Sequence, residues 1–241
     1  MNDPHFISTR LKSSSSSQSL NLSSCQLKEL PAAFSSLVQL KYLYLDNNEL
    51  IFVPEIGNLV TLEEISLENN QLTLIPDSFG NLRSLKCLNL SKNHLKCLNS
   101  SIFANMSNLV MLWLNNCELM YLPREIGLLG TLEKLGLKCN SLQDLPLEIG
   151  QLSKLSWINV EQNELEILPI EFKQLKNLSY LNLNKNKFAS FPVEIFELAN
   201  LDALFISNNC IKTINDDEIM NLSHMRKVEL KVKMLYNNII V

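Results

Sequence analysis

Histidine, cysteine and carboxylate side chains would carry any catalytic or metal chemistry, and their spacing in this chain predicts none. The three histidines, His5, His94 and His224, are far apart, and no serine or cysteine stands in a nucleophilic triad with one of them. The six cysteines form no C-x-x-C pair and no Cys/His cluster with zinc spacing. The chain has only six glycines and no phosphate-binding loop. We therefore expect no catalytic residue, no metal site and no cofactor. The protein is accordingly not expected to be an enzyme.

Large aromatic side chains are better candidates for a function, and that function would be binding. They occur in short phrases in which an aliphatic residue lies between two variable ones, and these phrases contain both tryptophans and three of the five tyrosines. Exposed Trp and Tyr are the residues most often found at interface hot spots. The predicted protein-binding residues are Tyr42, Tyr44, Glu64, Met111, Trp113, Lys134, Trp157, Tyr180 and Phe205. The alternative interpretation is that the rings only stack on neighbouring strands.

These phrases recur at a fixed interval, which is the main architectural signal in the sequence. The pattern L-x-x-L-x-L-x-x-N-x-L begins again every 22 to 24 residues, and such a period is typical of a solenoid built from one small unit. The units begin at Ser17, Leu40, Leu62, Leu85, Leu109, Leu132, Leu155, Leu178, Leu201 and Met225. We therefore predict a flexible serine-rich tail over residues 1–16 and a repeat domain over residues 17–241, with nine full units and a partial tenth.

Each unit is predicted to begin with a short strand. Side chains alternate between the two faces of a strand, so Leu43 and Leu45 should point into the stack while the third and fifth positions of the unit point outward. Neighbouring strands should form one parallel sheet that buries the leucines between units. We call the surface formed by the third and fifth positions of all units the concave face. On this face Gly136 is predicted to leave a gap between Trp113 and Trp157.

An asparagine follows the strand in most units, and we expect its role to be structural. Its side-chain amide has donors and an acceptor, so it can satisfy buried backbone groups where the chain leaves the strand. Cys25 and Cys117 stand at the same position, where a small thiol is expected to replace the amide without a redox role. The predicted ladder consists of Asn48, Asn70, Asn93, Asn140, Asn163, Asn186 and Asn209.

The second half of each unit predicts an extended segment followed by a short helical turn. Seven units carry a proline here, such as Pro146, and proline suits an extended or turning chain because it fixes φ and has no N–H. The apolar residues Ile149 and Leu152 have the i, i+3 spacing of a helical or 3₁₀ turn. Asn99 and Asn215 replace the proline in the two 24-residue units, where we expect the curvature to change locally.

Composition and charge limit the classes of partner and compartment. The net charge is −4 and the pI about 5.5, without a basic stripe, so we expect no nucleic acid partner. Four acidic residues lie close together in the second and third units and would attract a basic segment of a partner, namely Asp46, Glu63, Glu64 and Glu68. No apolar stretch is long enough to span a membrane, and the first residues lack the apolar core of a signal peptide. With scattered cysteines, these features predict a non-secreted protein of the cytoplasm or nucleus.

The outer segments resemble those of a known family. Leu122-Pro-Arg-Glu-Ile-Gly127 and Leu145-Pro-Leu-Glu-Ile-Gly150 match the phrase L-P-x-E-I-G, and Val53-Pro-Glu-Ile-Gly57 is the same phrase with one residue deleted. The unit resembles intracellular leucine-rich-repeat proteins of the Ras-suppressor, Scribble and plant Ras-group-related type, over about residues 17–235. The resemblance implies a right-handed, horseshoe-shaped α/β-repeat solenoid with a concave parallel β-sheet and convex short helical, 3₁₀ or extended segments. It also implies a scaffold for signalling or cytoskeletal proteins.

These observations together predict an intracellular scaffold or adaptor that binds a partner protein through the concave face, in Ras-type GTPase or phosphatase signalling. An extracellular recognition or adhesion module and a regulatory subunit of an enzyme are the alternatives. The tenth unit has Lys233 at the asparagine position and lacks an outer segment, although solenoids usually need a cap. We interpret the chain as a fragment or splice form, or as one whose C-terminal end packs on a partner. We expect a monomer, with association through that uncapped end as the exception.

Overall fold

Ten short strands form the framework of the molecule. The computed structural model describes residues 17–231, apart from 32, 33, 35 and 55. The strands are β1 (Ser19–Asn21), β2 (Tyr42–Tyr44), β3 (Glu64–Ser66), β4 (Cys87–Asn89), β5 (Met111–Trp113), β6 (Lys134–Gly136), β7 (Trp157–Asn159), β8 (Tyr180–Asn182), β9 (Ala203–Phe205) and β10 (Lys227–Glu229). They form one open parallel sheet in chain order, so every strand pairs with its sequence neighbours. The predicted leucine-rich-repeat solenoid is confirmed, whereas the predicted tail and the last ten residues lie outside the described part.

The strand register places equivalent residues of successive units side by side. Leu43 pairs with Ile65, and Ile65 pairs with Leu88, all at the middle of their strands. These three side chains are fully buried, while the flanking strand residues face the other side of the sheet. Truncating one such core leucine to alanine would cost about 2–5 kcal/mol, because it leaves a cavity between two units.

Short 3₁₀ helices form the opposite side of the solenoid. They span Asp77–Asn81, Ser100–Phe103, Arg124–Leu128, Leu147–Gln151, Ile170–Gln174 and Val193–Glu197. A proline in extended conformation precedes five of them, as at Pro146 with φ −63° and ψ 147°. Its carbonyl accepts the N–H of Ile149 at 3.0 Å, which begins the helical turn. Proline fits this position because its missing N–H would have no partner in the helix.

The two units in which asparagine replaces this proline have different outer segments. The side chain of Asn99 accepts the N–H of Ser101 at 3.3 Å and caps a 3₁₀ helix. Asn215 instead caps the α-helix Asp216–Asn221, accepting the N–H of Glu218 at 2.9 Å while the Glu218 carboxylate accepts the Asn215 N–H at 2.8 Å. This reciprocal capping box satisfies two backbone donors and favours a full α-helical turn.

The asparagines that follow the strands connect adjacent units by hydrogen bonds. Nδ2 of Asn163 donates to the carbonyls of Leu137 in the preceding unit, at 2.9 Å, and Val160 in its own unit, at 3.0 Å. Its Oδ1 accepts the N–H of Leu142 at 3.1 Å. The same bonds recur at Asn48, Asn70, Asn93, Asn140, Asn186 and Asn209. Each amide therefore satisfies buried backbone groups of two units.

Two cysteines stand at the ladder position. Cys117 is fully buried, and its Sγ contacts the carbonyl of Leu90 in the preceding unit at 3.2 Å. Burial raises the pKa of the Cys117 thiol to about 12, so it stays neutral. Cys25 is half-buried, and its Sγ contacts the carbonyl of Ser23 at 3.5 Å within its own unit.

The residue before each ladder position has left-handed backbone geometry, which the repeat pattern alone does not reveal. Asn47 has φ 56° and Asn69 has φ 56°, and asparagine tolerates this region better than most residues. Lys92, Gln162 and Lys185 adopt it at φ 57°, 59° and 55° without that tolerance. Asparagine recurs at this position in several units, and from that recurrence the left-handed geometry could have been predicted.

Candidate protein-binding face

The structure places all nine predicted binding residues on one side of the sheet. Tyr42, Glu64, Met111, Lys134, Trp157 and Tyr180 are the first residues of their strands, and Tyr44, Trp113 and Phe205 are the last. All nine side chains are half-buried or exposed, whereas the residue between each pair is buried. This alternation produces the concave face, and the fully buried leucines beneath it hold its backbone in place.

Four aromatic side chains on this face contact one another in order, and we call them the aromatic run. Trp113 meets Trp157 edge-on with ring centroids 5.3 Å apart and planes at 69°. Trp157 stacks on Tyr180 at 5.1 Å and 12°, and Tyr180 leans on Phe205 at 5.4 Å and 41°. The ammonium of Lys227 lies 4.8 Å from the centre of the Phe205 ring. Each ring pair contributes about 0.5–1.5 kcal/mol beyond its buried area, so the run is preorganised.

The predicted gap at Gly136 is wrong, because the indole of Trp113 fills it. A Cβ built on Gly136 would lie 2.5 Å from Cε3 of Trp113. Trp113 is on β5 and Trp157 on β7, with Gly136 on the strand between them. The prediction from strand register assumed that side chains stand perpendicular to the sheet. The missing side chain at Gly136 allows Trp113 to lean across β6 and reach Trp157.

Tyr42, Tyr44 and Glu64 form a separate region on β2 and β3. Burial, followed by the negative charge of Glu64 and a hydrogen bond to it, raises the pKa of Tyr44. The carboxylate of Asp46 accepts the Ser66 hydroxyl and, at 2.9 Å, the N–H of Glu68. Neither Asp46 nor Glu64 has an ion-pair partner among the described residues. This end of the concave face is therefore acidic.

A depression of ≈ 370 Å³ extends along the concave face from Glu68, just beyond β3, to Trp157 on β7. Its walls include the Trp113 and Trp157 rings, and we call it the tryptophan pocket. The other lining residues are Glu68, Asn89, Ser91, Lys92, Asn115, Asn116, Lys138 and Asn159. None of these eight is among the nine predicted binding residues, although Glu68 was expected to attract a basic segment of a partner. Most of them lie just beyond the strand, at the seventh and eighth positions of the unit. The seventh position is polar in successive units, and this pattern in the sequence could have indicated the polar lining of the pocket.

A Glu–Asn–Lys cluster lies at one end of the tryptophan pocket. The Glu68 carboxylate accepts Nζ of Lys92 at 2.8 Å and Nδ2 of Asn89 at 3.0 Å. The hydrogen bond from Lys92 is the largest effect on the pKa of Glu68 and lowers it below its usual range, although burial opposes the shift.

An equivalent cluster lies four units further along, on the other side of the pocket. There the Glu161 carboxylate accepts Nζ of Lys185 at 3.1 Å and Nδ2 of Asn182 at 3.4 Å, and it also pairs with Lys138 at 2.9 Å. Burial alone would raise the pKa of Glu161, but the two lysines lower it below its usual range. The two clusters hold Lys92 and Lys138 in place as charged walls of the pocket.

The residues considered for catalysis or metal binding remain dispersed. His94 is exposed and lies 2.6 Å from the Glu118 carboxylate, and His224 is exposed elsewhere, whereas His5 lies outside the described residues. All six cysteines are free thiols. Within the described part of the chain, no three His, Cys, Asp or Glu side chains are grouped so that they could hold a metal ion. No helix in that part is both long and apolar enough to cross a membrane.

Comparisons with known proteins identify relatives of the whole repeat region. The family model described as Leucine rich repeat matches residues 57–119, 130–188 and 176–231, and a second model of that description matches residues 16–37 and 39–59. A curated relative is the probable serine/threonine-protein kinase pats1 of Dictyostelium discoideum, 36% identical over 126 residues. That match covers 51% of this chain and 3% of the kinase.

Two solved structures show the same architecture over nearly the whole chain. An LRR protein of Leptospira interrogans has a TM-score of 0.89 and 34% identity, covering 98% of this chain and 59% of that protein. The plant peptide hormone receptor RGFR1, solved in complex with RGF2, has a TM-score of 0.75 and 28% identity, covering 90% of this chain and 36% of the receptor. The chain therefore spans only part of the length of each of these relatives.

Proposed function

The chain belongs to the leucine-rich-repeat family, and we propose that it is a protein-interaction scaffold that binds a partner protein through its concave face. The aromatic run supports this proposal most strongly. Ten strands at about 4.8 Å spacing give a face roughly 45–50 Å long. A surface of that length suits a folded protein or an extended peptide better than a small metabolite.

The aromatic run has the properties of an interface anchor. Trp113, Trp157 and Tyr180 are of the residue types that dominate binding energy in alanine scans. Their mutual stacking holds the rings in one arrangement before a partner arrives, which reduces the entropy lost on binding. Stacking also buries part of each ring and so contributes to the fold. Their remaining exposed surface favours a binding role in addition to packing.

We propose further that the scaffold acts in the cytoplasm or nucleus, as a monomer, in Ras-type GTPase or phosphatase signalling. The L-P-x-E-I-G phrases support this subtype, since they resemble intracellular leucine-rich-repeat proteins. The similarity to a probable serine/threonine kinase is consistent with signalling. The free thiols of all six cysteines favour a reducing compartment.

An extracellular recognition module is the second candidate, and the likeness to a plant peptide hormone receptor favours it. The two candidates differ in what would be attached to the native protein. Asn177 and Asn221 each begin an N-x-S sequence and are exposed. Glycan occupancy at either position, measured by mass spectrometry before and after enzymatic deglycosylation, would support the extracellular candidate and contradict the intracellular one.

The concave-face proposal is tested by affinity purification of the tagged chain from its native cells. The Trp113→Ala/Trp157→Ala double variant should lose the recovered partners, because it removes half of the aromatic run. A matched control is Leu147→Ala/Ile170→Ala, which removes side chains that are 54% and 61% exposed on the outer helices. An enzyme among the partners, with activity altered by the purified chain, would identify a regulatory subunit. Unchanged recovery by a folded double-tryptophan variant would contradict the concave-face proposal.

A further inference from the structure

We propose that the tryptophan pocket takes an acidic side chain, aspartate or glutamate, from an extended segment of the partner. The inference rests on the proposed function, because the pocket is part of the concave face. It adds the chemistry of the group that is recognised.

Most of the unused hydrogen-bonding groups on the pocket side chains are donors. The indole N–H groups of Trp113 and Trp157 have no hydrogen-bond partner among the described residues, and neither does Nδ2 of Asn159. Indole N–H groups usually find a partner when they become buried. A ligand that covers these half-buried side chains must therefore supply acceptors, or the donors lose their water without replacement.

The side-chain acceptors of the pocket, in contrast, are occupied with one exception, the Oδ1 of the exposed Asn116, which has no hydrogen bond among the described residues. The Oδ1 atoms of Asn89, Asn115 and Asn159 accept backbone N–H groups at 3.1, 2.9 and 2.9 Å. Both carboxylate oxygens of Glu68 are engaged by Lys92 and Asn89. A partner group rich in donors would find no free oxygen on these side chains. The hydrogen-bonding inventory thus favours an acceptor such as a carboxylate.

Charge also favours an anion of small size. Lys92 and Lys138 line the pocket, and Lys138 shares its carboxylate partner, Glu161, with Lys185. Lys134 is exposed and directly opposite Trp157 in the strand register, with no ion pair among the described residues. Hydrogen bonds to a charged acceptor are about twice as strong as neutral ones. The pocket therefore combines an excess of ammonium groups with unused N–H donors.

An acidic peptide fits these features better than a nucleic acid strand. The chain carries a net charge of −4, and Asp46 and Glu64 extend an uncompensated negative region along the same face. A polyphosphate backbone would have to cross that region and lacks a continuous basic track. A single carboxylate needs only the pocket itself. Its methylene groups can lie against the Trp113 and Trp157 rings.

The probe for the experiment is a library of random peptides displayed as N-terminal fusions on phage and selected on the immobilised chain. Displayed peptides have no free C-terminus, so only Asp or Glu side chains can supply the carboxylate. Selected peptides should require both tryptophans and be enriched in Asp or Glu. One selected peptide is then synthesised with a C-terminal amide, and its affinity for the variants is measured by calorimetry.

The decisive variant is Asn159→Asp. Aspartate retains the Oδ1 that accepts the Glu161 N–H at 2.9 Å, so the local turn is preserved, but the amide donor becomes a negative charge. Affinity for the acidic peptide should fall by at least about tenfold. Asn208→Asp is the control, since it adds the same charge at an exposed position two strands beyond β7. It should change the affinity less than about twofold.

The outcomes separate this inference from the proposed function. Selected peptides that need Trp113 and Trp157 but contain no required acidic residue would contradict the inference that the pocket takes a carboxylate. They would still support binding through the concave face. Peptides that bind independently of both tryptophans, or a selection that yields none, would contradict both. The pocket would be assigned to phosphate, and the inference overturned, if a single-stranded RNA displaces the peptide and Asn159→Asp lowers the affinity for that RNA.

Discussion

The indole of Trp113 lies against Gly136 of the neighbouring strand, in the space that any larger residue would occupy, with Cε3 2.5 Å from the site of a Cβ. This contact brings Trp113 within 5.3 Å of Trp157, two strands away. The aromatic run therefore depends on a residue with no side chain. Neither tryptophan could hold this edge-on contact if β6 carried a side chain at that position.

Gly136→Ala should consequently disturb the aromatic run without touching the leucine core. We expect a loss of stability of about 1–3 kcal/mol, because the methyl group must displace the Trp113 ring or the backbone. Urea unfolding and tryptophan emission spectra measure the two effects. Gly130→Ala is the matched control, since a Cβ there meets nothing within 4 Å. Equal stability of the two variants would contradict the proposed contact.

The asparagine ladder predicts a graded response at Asn163. Asn163→Ala leaves the carbonyls of Leu137 and Val160 and the N–H of Leu142 without their partner, so we expect a loss of about 2–4 kcal/mol. Asn163→Cys should lose less, because the Cys117 thiol makes the equivalent contact to a carbonyl of the preceding unit. The free energies of unfolding in urea test this order. If Asn163→Ala loses less free energy of unfolding than the exposed-site variant Asn177→Ala, the prediction for the ladder is wrong.

Left-handed backbone geometry predicts a stabilising substitution at Gln162. Its φ of 59° is unfavourable for a residue with a Cβ, whereas glycine adopts this geometry freely. We expect Gln162→Gly to raise the free energy of unfolding by about 0.5–1 kcal/mol, after the added entropy of the unfolded chain is subtracted. Gln143→Gly is the control at an exposed position outside the left-handed set, and it should not stabilise the protein.

The ion pairs of Glu161 predict that part of the protein's stability is lost in acid. Lys138 and Lys185 hold its folded pKa below the ordinary value of 4.5, so its contribution is complete above that value and is lost as the pH falls through the folded pKa. Glu161→Gln should be less stable than the wild type at neutral pH, and the difference should shrink in acid. Thermal unfolding across this pH range is the measurement. Glu194→Gln is the matched control, because it removes a carboxylate that has no ion pair among the described residues.

The outer segments show where sequence patterns were sufficient and where they were not. Asn99 and Asn215 replace the same proline in units of equal length, yet one precedes a 3₁₀ helix and the other an α-helix. The pattern N-x-x-E at Asn215 and Glu218 is a capping-box signal that distinguishes them and was present in the sequence. The left-handed residues are harder to predict, because Lys92 and Gln162 adopt that geometry against their own preference. The repeated turn around them determines it.

The amino-acid sequence is enough to predict the repeat, the strand register and the face on which Trp113, Trp157, Tyr180 and Phe205 lie. These follow from local rules, since alternation along a strand is set by covalent geometry and the period of the leucines aligns the units. The folded arrangement was needed to see which rings touch, that Trp113 fills the space over Gly136, and that polar residues beyond the strands form the tryptophan pocket. Such contacts depend on the shape and hydrogen bonds of side chains from several units at once. A one-dimensional pattern does not contain that information.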